Sequence, residues 1–396
     1  MNREDFEILK TGIIYFDNGA TTLKPKILSE AISDYYNYYS SNAHRGSYTL
    51  SLKASAEYEK TRKKVANLIN SNNEEIIFTS GTTDSLNKII FGYFKNQLKP
   101  NDEVLITTSE HASNILPWFE LADEIGIKIK YIDLDDNHKV TIENIKKAIT
   151  NKTKAISLAH ITNVIGDIRP IKQITKYAHE NNILVLVDGA QSVPHMKVDV
   201  KDLDIDFLAF SAHKMCGPTG VGVLYGKKEH LDKTKPIVFG GGMNAEFENN
   251  GLRKYKEIPD KLEAGTPNIA GVIGFGYIID YLTKIGLENI HQKELELKNY
   301  LIEKLKKIND IIIYNENTES GIIAINHKEI FSEDLSIYLD KYNICTRAGS
   351  HCAKILKNNL HIKNTLRISL YFYNTKEEID KLVEILQNKN IKNEII

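Results

Sequence analysis

Side chains capable of acid–base and covalent chemistry follow several apolar runs of this 396-residue sequence. Asp188 ends the apolar run Ile183–Val187, and Lys214 follows the run Phe207–Phe210. Burying a carboxylate at the end of an apolar strand costs folding free energy unless a cation lies beside it. That cation is either a structural arginine or lysine, or a protonated ring nitrogen. A lysine that is desolvated at the same place can form a Schiff base with an aldehyde.

Three other segments that follow apolar runs carry polar groups. Thr82 and Thr83 open a helical pattern, where free N–H groups bind anions, although plain N-capping is the commoner reason for such residues. His111 follows the apolar run Glu103–Thr107, and Asn163 follows the run Lys154–Ala159. Each of these residues alone is only weak evidence for a functional site. Together, an anion site, a carboxylate for a ring nitrogen, a histidine for stacking and a lysine for an aldehyde match one ligand, pyridoxal 5′-phosphate.

The three cysteines are too few for a disulfide framework, and no Cys/His pair has zinc spacing, so we predict no metal site. Cys352 lies in a loop-like segment where Arg347 and His351 favour its thiolate, which predicts a nucleophile; the alternative is a buried structural thiol. Cys345 and Cys216 are assigned to packing.

Seven apolar runs predict the strands that position these groups. Helix-like segments or longer connections follow the first five, which is typical of a mostly parallel sheet with helices on both faces. The last two runs are only ten residues apart, so one of them is expected to be antiparallel. The predicted strands are Ile76–Phe78, Glu103–Thr107, Ile127–Ile132, Lys154–Ala159, Ile183–Val187, Phe207–Phe210 and Val221–Tyr225.

After about Gly265 the pattern changes to that of a smaller α+β domain. A long helical pattern, Gly271–Leu305, is broken near Gly286. Short strands and a terminal helix follow, predicted at Ile311–Tyr314, Gly321–Asn326, Leu366–Leu370 and Lys376–Gln387.

The composition excludes several classes of protein. Lys and Arg number 51 against 52 Asp and Glu, a net charge of −1, so no nucleic-acid partner is predicted. The longest uncharged apolar-rich stretch, Thr266–Ile279, is too short to span a bilayer, so no membrane association is expected. The acidic N-terminus lacks a signal-peptide pattern, and we expect a cytoplasmic protein.

Six motifs occur together along almost the whole chain: Tyr15–Thr22, Asn42–Gly46, Val187–Gln191, Ser211–Lys214, Glu263–Asn268 and Arg347–Ala353. With them the chain resembles the group II (Suf-type) cysteine desulfurases of the class V aminotransferase family. The resemblance implies a fold type I pyridoxal phosphate enzyme with a mostly parallel seven-stranded sheet. It divides the chain into an N-terminal segment, 1–22, packed on the small domain, a large cofactor-binding domain, 23–284, and a small domain, 285–396, with the catalytic cysteine.

The resemblance also implies roles for individual residues. Lys214 matches the Schiff-base lysine, Asp188 the partner of the pyridine nitrogen, and Gln191 the donor to the ring's phenolic oxygen. His111 matches the histidine that stacks on the ring. The phosphate-binding positions are Thr82, Thr83, Ser211, His213 and, from a neighbouring subunit, Thr266. Asn163, Arg347 and Arg367 match the substrate-binding positions, Arg367 holding the substrate carboxylate, and Cys352 matches the persulfide-forming nucleophile.

The implied reaction converts L-cysteine to L-alanine and transfers sulfur to Cys352, for iron–sulfur cluster assembly. The implied partners are a second copy of the chain and a SufE- or SufU-like acceptor. Selenocysteine lyase, acting on L-selenocysteine, is the alternative within the fold, and a scaffold with a degenerate pocket is the alternative outside it. A dehydrogenase would need a Gly-x-Gly-x-x-Gly motif, which the sequence lacks. Ser350 and Ile355 depart from the family's usual histidine and proline, which puts the rigidity of the cysteine loop in doubt.

Overall fold

The computed structural model describes residues 3–44, 46–360, 362–388, 391 and 394, so Arg45 of the Asn42–Gly46 motif lies outside the described residues. The strands, in chain order, are β1 (Ile14–Tyr15), β2 (Ile76–Thr79), β3 (Glu103–Thr107), β4 (Lys128–Ile132), β5 (Thr153–Ala159), β6 (Leu184–Asp188), β7 (Phe207–Ser211), β8 (Gly222–Gly226), β9 (Asn244–Phe247), β10 (Arg253–Tyr255), β11 (Ile311–Ile313), β12 (Ile322–His327), β13 (Ile344–Cys345), β14 (Arg347–Gly349) and β15 (Thr365–Ser369).

The helices lie between these strands and after them. In chain order they are α1 (Lys26–Tyr38), α2 (Thr49–Ile69), α3 (Thr82–Ile89), α4 (Lys95–Gln97), α5 (Leu116–Ile125), α6 (Ile142–Ala148), α7 (Ile171–Glu180), α8 (Val200–Leu203), α9 (Lys228–Leu231), α10 (Ile269–Ile285), α11 (Leu287–Leu305), α12 (Ser332–Asp340), α13 (Lys354–Leu360) and α14 (Lys376–Leu386).

The predicted seven-stranded sheet is confirmed. Its strand order is β2-β8-β7-β6-β5-β3-β4, and the neighbours from β7 to β4 pair in parallel. Only β8 among these seven runs the other way, antiparallel to both β2 and β7. The connection between β7 and β8 is too short for a helical crossover, and the prediction that one of these two strands is antiparallel is confirmed.

Both faces of this sheet are covered by helices because its central strands are apolar on both sides. Val185 and Val187 of β6 point into a core shared with α1, α2, α7 and α10. Leu186 points to the other face, into a core that includes Trp118 of α5 and Leu86 of α3. This is the burial expected of a parallel strand between two helical layers.

The C-terminal part forms a separate antiparallel sheet in the order β11-β12-β15-β14. Helices α11, α12 and α14 pack on it around Leu301, Leu339 and Leu382. The predicted break in the long helix lies at Gly286, whose φ of +90° is in the left-handed region that favours glycine. Near the N-terminus, β1 pairs in parallel with β13, so this first strand lies beside the C-terminal part. The boundaries at 22 and 284 stay predictions.

Among the described residues, no single helix has the length and apolar character needed to cross a membrane. Helices α10 and α11 meet those criteria only as a pair, and they are bent by 70° relative to each other.

A polar cluster closes the sheet at the edge opposite the carboxyl ends of β6 and β7. The Asp206 carboxylate is buried, with 2% of its side chain exposed, and it accepts hydrogen bonds from the Val185 N–H at 2.8 Å and from His179 Nε2 at 2.9 Å. Lys227 Nζ lies 3.1 Å away and His230 Nε2 3.4 Å away. Although burial alone would raise it, hydrogen bonds from His179 and His230 hold the pKa of Asp206 well below its usual range.

We expect Asp206→Asn to lower the free energy of unfolding by about 3 kcal/mol, because it leaves the partly buried Lys227 and His179 without the carboxylate that they share. Asp202→Asn, at an exposed ion pair with Lys172, is the matched control and is expected to cost less than about 1 kcal/mol. Urea unfolding of the three proteins measures the difference, and equal losses in the two variants would contradict the account.

The same cluster predicts a pH dependence. The lowered pKa of Asp206 stabilises the fold above an unfolded-state value of about 3.9, and this stabilisation is lost as the pH falls through the folded-state value. The hydrogen bond that His179 donates to the Asp206 carboxylate raises the pKa of His179, and the stabilisation from this pair is present below about pH 6.5 and is lost as the pH rises through the folded-state value. The stability gap between wild type and Asp206→Asn is therefore expected to be widest between about pH 4 and 6.5.

Candidate active site

A cavity of about 300 Å³ lies at the carboxyl edge of the large sheet, facing β14 and β15. All of the predicted site residues except Thr266 line it. The lining residues are Gly19, Ala20, Thr82, Thr83, His111, Ser113, Ala159, Ile161, Asn163, Asp188, Ala190, Gln191, Ser211, His213, Lys214, Arg347, His351, Cys352 and Arg367. Thr266 is exposed and outside this cavity, so its part in a neighbouring subunit's site stays a prediction.

Hydroxyl groups gather at the N-terminus of α3. The Thr82 N–H donates to Ser211 Oγ at 2.8 Å, and the Thr83 and Ser113 hydroxyls are 2.7 Å apart. A Cβ at Gly222 would lie only 2.4 Å from Gly81 Cα, so a glycine at the start of β8 permits this close approach to the helix. Hydroxyls and free N–H groups at a helix N-terminus bind anions such as phosphate.

The buried Asp188 and the partly buried Lys214 form the floor of the cavity. The Ala190 N–H donates to Asp188 Oδ1 at 2.9 Å. Burial raises the pKa of Asp188 to about 6, even though this N–H and the Lys214 amine favour the carboxylate. Burial also lowers the pKa of Lys214 to about 8, against the opposing effect of Asp188. A substantial fraction of this amine is therefore neutral near pH 8 and able to act as a nucleophile or a base.

The N-terminal segment holds the turn that carries Lys214. The His213 carbonyl accepts hydrogen bonds from the Thr22 N–H at 3.1 Å, from Lys24 Nζ at 2.7 Å and from Thr21 Oγ1 at 3.0 Å. Burial, reinforced by the charges of Lys214 and Lys24, lowers the pKa of His213 to about 4. The sequence patterns did not indicate this anchoring, because its donors are almost 200 residues away along the chain.

His111 is neutral and joins two loops. Burial, together with the charges of Lys214 and Arg367, lowers the pKa of its ring to about 4. Its Nδ1 accepts the Ser113 N–H at 3.1 Å, which places the ring proton on Nε2. The following N–H, of Ala112, donates to the Cys352 carbonyl at 2.8 Å. The histidine loop and the cysteine loop are thus held together through their backbones.

A buried ion pair supports this loop from behind, and sequence reasoning missed it. Glu110 and Arg169 pair with both side chains fully buried. Glu110 Oε2 accepts the Ala159 N–H at 2.7 Å, and Arg169 Nη2 donates to the Thr107 hydroxyl at 2.8 Å. The pair therefore ties the ends of β3 and β5 to the residue that precedes His111.

Two arginines that also line the cavity come from β14 and β15. Arg367 is almost completely buried and donates through Nη1 to the Asn163 carbonyl at 3.0 Å. Arg347 is half exposed. Both arginines also contact Asp17, which sequence reasoning did not assign to the site although it belongs to the Tyr15–Thr22 motif.

The cysteine loop has an unusual backbone. His351 and Cys352 have φ angles of +50° and +56°, a region that side chains other than glycine rarely adopt and that is typical of functional loops. The Asn163 Nδ2 group donates to the His351 carbonyl at 2.6 Å and fixes this turn. Cys352 is exposed at the cavity.

The expectation that His351 favours the Cys352 thiolate is wrong. Burial lowers the pKa of His351 to about 3, so its ring is neutral at physiological pH. The ring is also hydrogen-bonded to a residue other than Cys352, since Nε2 lies 2.9 Å from the Thr365 hydroxyl. Cys216, in contrast, agrees with its assignment to packing: it is fully buried, and burial raises the pKa of its thiol to about 12.

The cavity fits pyridoxal 5′-phosphate. Four of its side chains keep buried polar atoms without a hydrogen-bond partner, namely Gln191 Oε1, Asn163 Oδ1, His351 Nδ1 and Arg367 Nε. The hydroxyls and N–H groups at the N-terminus of α3 suit the cofactor's phosphate. The carboxylate of Asp188 suits its ring nitrogen, and the amine of Lys214 suits its aldehyde. The amide of Gln191 donates one N–H to the Gly19 carbonyl at 2.7 Å, which leaves its second N–H for the cofactor.

Comparison with known proteins leads to the same class of enzyme as the geometry of the cavity does. Residues 14–382 match the family model described as aminotransferase class-V. The chain therefore belongs to the class V aminotransferase family, and the predicted fold class and pyridoxal phosphate cofactor are confirmed. Within this family it is 44% identical to a probable cysteine desulfurase of Halalkalibacterium halodurans, over 97% of this chain and 94% of that protein.

The similarity to cysteine desulfurases extends to other relatives and to solved structures. A cysteine desulfurase of Haloferax volcanii is 39% identical over 95% of this chain and 89% of its own. The apo structure of a cysteine desulfurase from Thermococcus onnurineus superposes with a TM-score of 0.95 at 37% identity, covering 99% of this chain and 97% of that one. The predicted resemblance to cysteine desulfurases is confirmed.

The lowered pKa of Lys214 predicts a specific reactivity of the apoprotein. When the apoprotein is mixed with pyridoxal 5′-phosphate and trapped with borohydride, the labelling rate at Lys214 is expected to rise with pH and level off above about 8, since only the neutral amine attacks. The exposed Lys63, which lies outside the cavity, serves as the comparison. Peptide mapping measures both rates, and parallel profiles at the two lysines would contradict the account.

Proposed function

We propose that this chain is a pyridoxal phosphate-dependent cysteine desulfurase of the Suf type, which converts L-cysteine to L-alanine and leaves the sulfur on Cys352. The observation that carries the proposal is the meeting of two groups in one cavity. The partly buried Lys214 amine and the exposed Cys352 thiol both line it, and a negative charge on Cys352 would raise the pKa of Lys214. A desulfurase needs such a base or Schiff-base lysine beside a sulfur nucleophile.

Each of the predicted site residues that line the cavity has a task in this reaction. The bound cofactor supplies an electron sink that makes the substrate's Cα–H acidic and its Cβ–Sγ bond cleavable. Thr82, Thr83, Ser211 and His213 hold the phosphate, and Asp188 keeps the proton on the pyridine nitrogen. Lys214 holds the cofactor's aldehyde carbon between turnovers and, once displaced, accepts the proton from Cα. His111 stacks on the ring, Gln191 donates to the phenolic oxygen, and Arg367, Arg347 and Asn163 orient the substrate carboxylate.

The sulfur transfer step balances without an external oxidant. The Cys352 thiolate forms an S–S bond with the substrate sulfur as the Cβ–Sγ bond breaks. The electron pair of that bond returns to the substrate carbon skeleton, which takes up protons and leaves as L-alanine. The transferred sulfur is oxidised to the persulfide level while Cβ is reduced from a thiomethylene to a methyl group. A thiol acceptor or reductant then removes the sulfur from Cys352.

The chain is proposed to act as a homodimer in which Thr266 reaches the phosphate of the neighbouring site. Thr266 lies outside the cavity of the chain that carries it. The adjacent Gly265 N–H donates to the Gly241 carbonyl at 2.7 Å and so joins this loop to the stretch around Gly241. The stretch 239–247, which includes Gly241, exposes Phe239 and Phe247, with 64% and 74% of their surfaces accessible, as an uncovered subunit interface would.

The acceptor is proposed to be a SufE- or SufU-like protein that feeds iron–sulfur cluster assembly in the cytosol. An exposed Cys352 on a short loop supports direct transfer to a partner's thiol. The three free cysteines support a reducing compartment. The short connection from β14 to α13 supports the Suf-type subgroup, whose cysteine loop lacks a long insertion.

The proposal is tested by alanine release from L-cysteine and from L-selenocysteine in the presence of reductant. Cys352→Ser is expected to lose more than about 100-fold of its cysteine activity, because no thiolate attacks the sulfur, while selenocysteine, whose selenium leaves more readily, is still turned over. Cys345→Ser, on β13, is the matched control and is expected to keep both activities. Undiminished cysteine turnover in Cys352→Ser would contradict the persulfide mechanism.

A further inference from the structure

One carboxylate is shared by the two arginines of the cavity. Asp17 Oδ1 accepts a hydrogen bond from Arg367 Nη2 at 3.0 Å, and its two oxygens accept from Arg347 Nε at 3.2 and 3.0 Å. The side chain of Asp17 is 15% exposed, that of Arg367 3% and that of Arg347 50%. Arg367 is therefore a fixed cation, whereas Arg347 lies at the solvent side of the same carboxylate.

The arrangement leaves donors of Arg367 without a partner inside the cavity that it lines. Asp17 and the Asn163 carbonyl occupy one N–H on each of its Nη atoms, while the buried Nε has no partner. A guanidinium has five N–H donors, so Arg367 retains enough of them to bind a carboxylate bidentately. An incoming α-carboxylate thus adds to the Asp17 contact and need not displace it.

The charges of this cluster determine how many carboxylates the pocket accepts. Two guanidinium groups and one carboxylate leave a net charge of +1, which a single substrate carboxylate neutralises. Without Asp17 the cluster would carry +2 and would attract an amino acid with a second anionic group. Like charges that meet at close range in a partly buried site are costly, so Asp17 also repels such a second group.

We propose that Asp17 is a specificity-determining residue, which restricts the pocket to amino acids with one carboxylate by neutralising one of its two arginines. The inference deepens the proposed function, on which it rests only for the place of the substrate's α-carboxylate at Arg367. Asp17 acts through the arginines and by repulsion, and it has no part in the bond-breaking steps.

The test measures equilibrium binding of L-alanine and L-aspartate to the holoenzyme by calorimetry. These ligands share the α-carboxylate and differ by one side-chain carboxylate. Asp17→Asn is expected to shift the ratio of the two dissociation constants about tenfold or more in favour of L-aspartate. In the double variant Asp17→Asn/Arg347→Gln the net charge returns to +1, and the ratio is expected to return most of the way to the wild-type value.

Matched controls separate selectivity from general damage. Asp280→Asn removes an exposed carboxylate that pairs with Lys64 on α2, and it is expected to leave the ratio unchanged. Asp17→Glu is expected to restore a ratio near that of wild type. If Asp17→Asn does not fold, Arg347→Gln alone remains informative, since it lowers the net charge to zero and is expected to shift the ratio against L-aspartate.

An unchanged ratio in Asp17→Asn, with both ligands weakened equally or not at all, would overturn the proposal, as would a double variant that keeps the shifted ratio. Both outcomes are independent of sulfur chemistry. If wild type released no alanine from L-cysteine, the proposed function would fail, yet the binding ratios would still test Asp17.

Discussion

Burial of the Lys214 amine beside the Asp188 carboxylate is the constraint on which the rest of the site depends. Removing two charged groups from water is expensive, and their mutual attraction offsets the cost only when hydrogen bonds satisfy the remaining atoms. Here burial moves the two pKa values toward each other, to about 8 and about 6. The protein thereby keeps a lysine that is neutral in part near physiological pH and a carboxylate ready for a cationic ring nitrogen.

The polar groups around this floor are positioned from distant parts of the chain. The Glu110–Arg169 pair joins the ends of β3 and β5 behind His111, and the N-terminal residues Thr22 and Lys24 hold the turn before Lys214. Such buried networks are stabilising only when their members are paired, and they fix a unique geometry when they are. The cysteine loop is attached to the same frame through Asn163 and the N–H of Ala112.

Local patterns were sufficient to predict the sheet and the residues at its edge. The run Ile183–Val187 is apolar on both faces, and a strand with that pattern has to lie between two helical layers. Asp188 then lies at the carboxyl end of this strand, and Lys214 lies just after the carboxyl end of the neighbouring strand Phe207–Phe210. The roles of Asp17 and Arg169 could not be predicted in this way, because their partners lie far away in sequence. The charge of His351 was predicted incorrectly because it depends on burial, and the pattern of a short polar loop does not reveal burial.

The central claim is that Lys214 and Cys352 act on the same substrate molecule. It is tested most directly by mass spectrometry of the intact holoenzyme after a single turnover with L-cysteine in the absence of reductant. The account predicts that the peptide carrying Cys352 gains the mass of one sulfur atom, in a yield equal to the alanine released, and that Lys214→Ala shows neither product. Alanine release with the extra sulfur on Cys216 or Cys345, or on no cysteine at all, would contradict it.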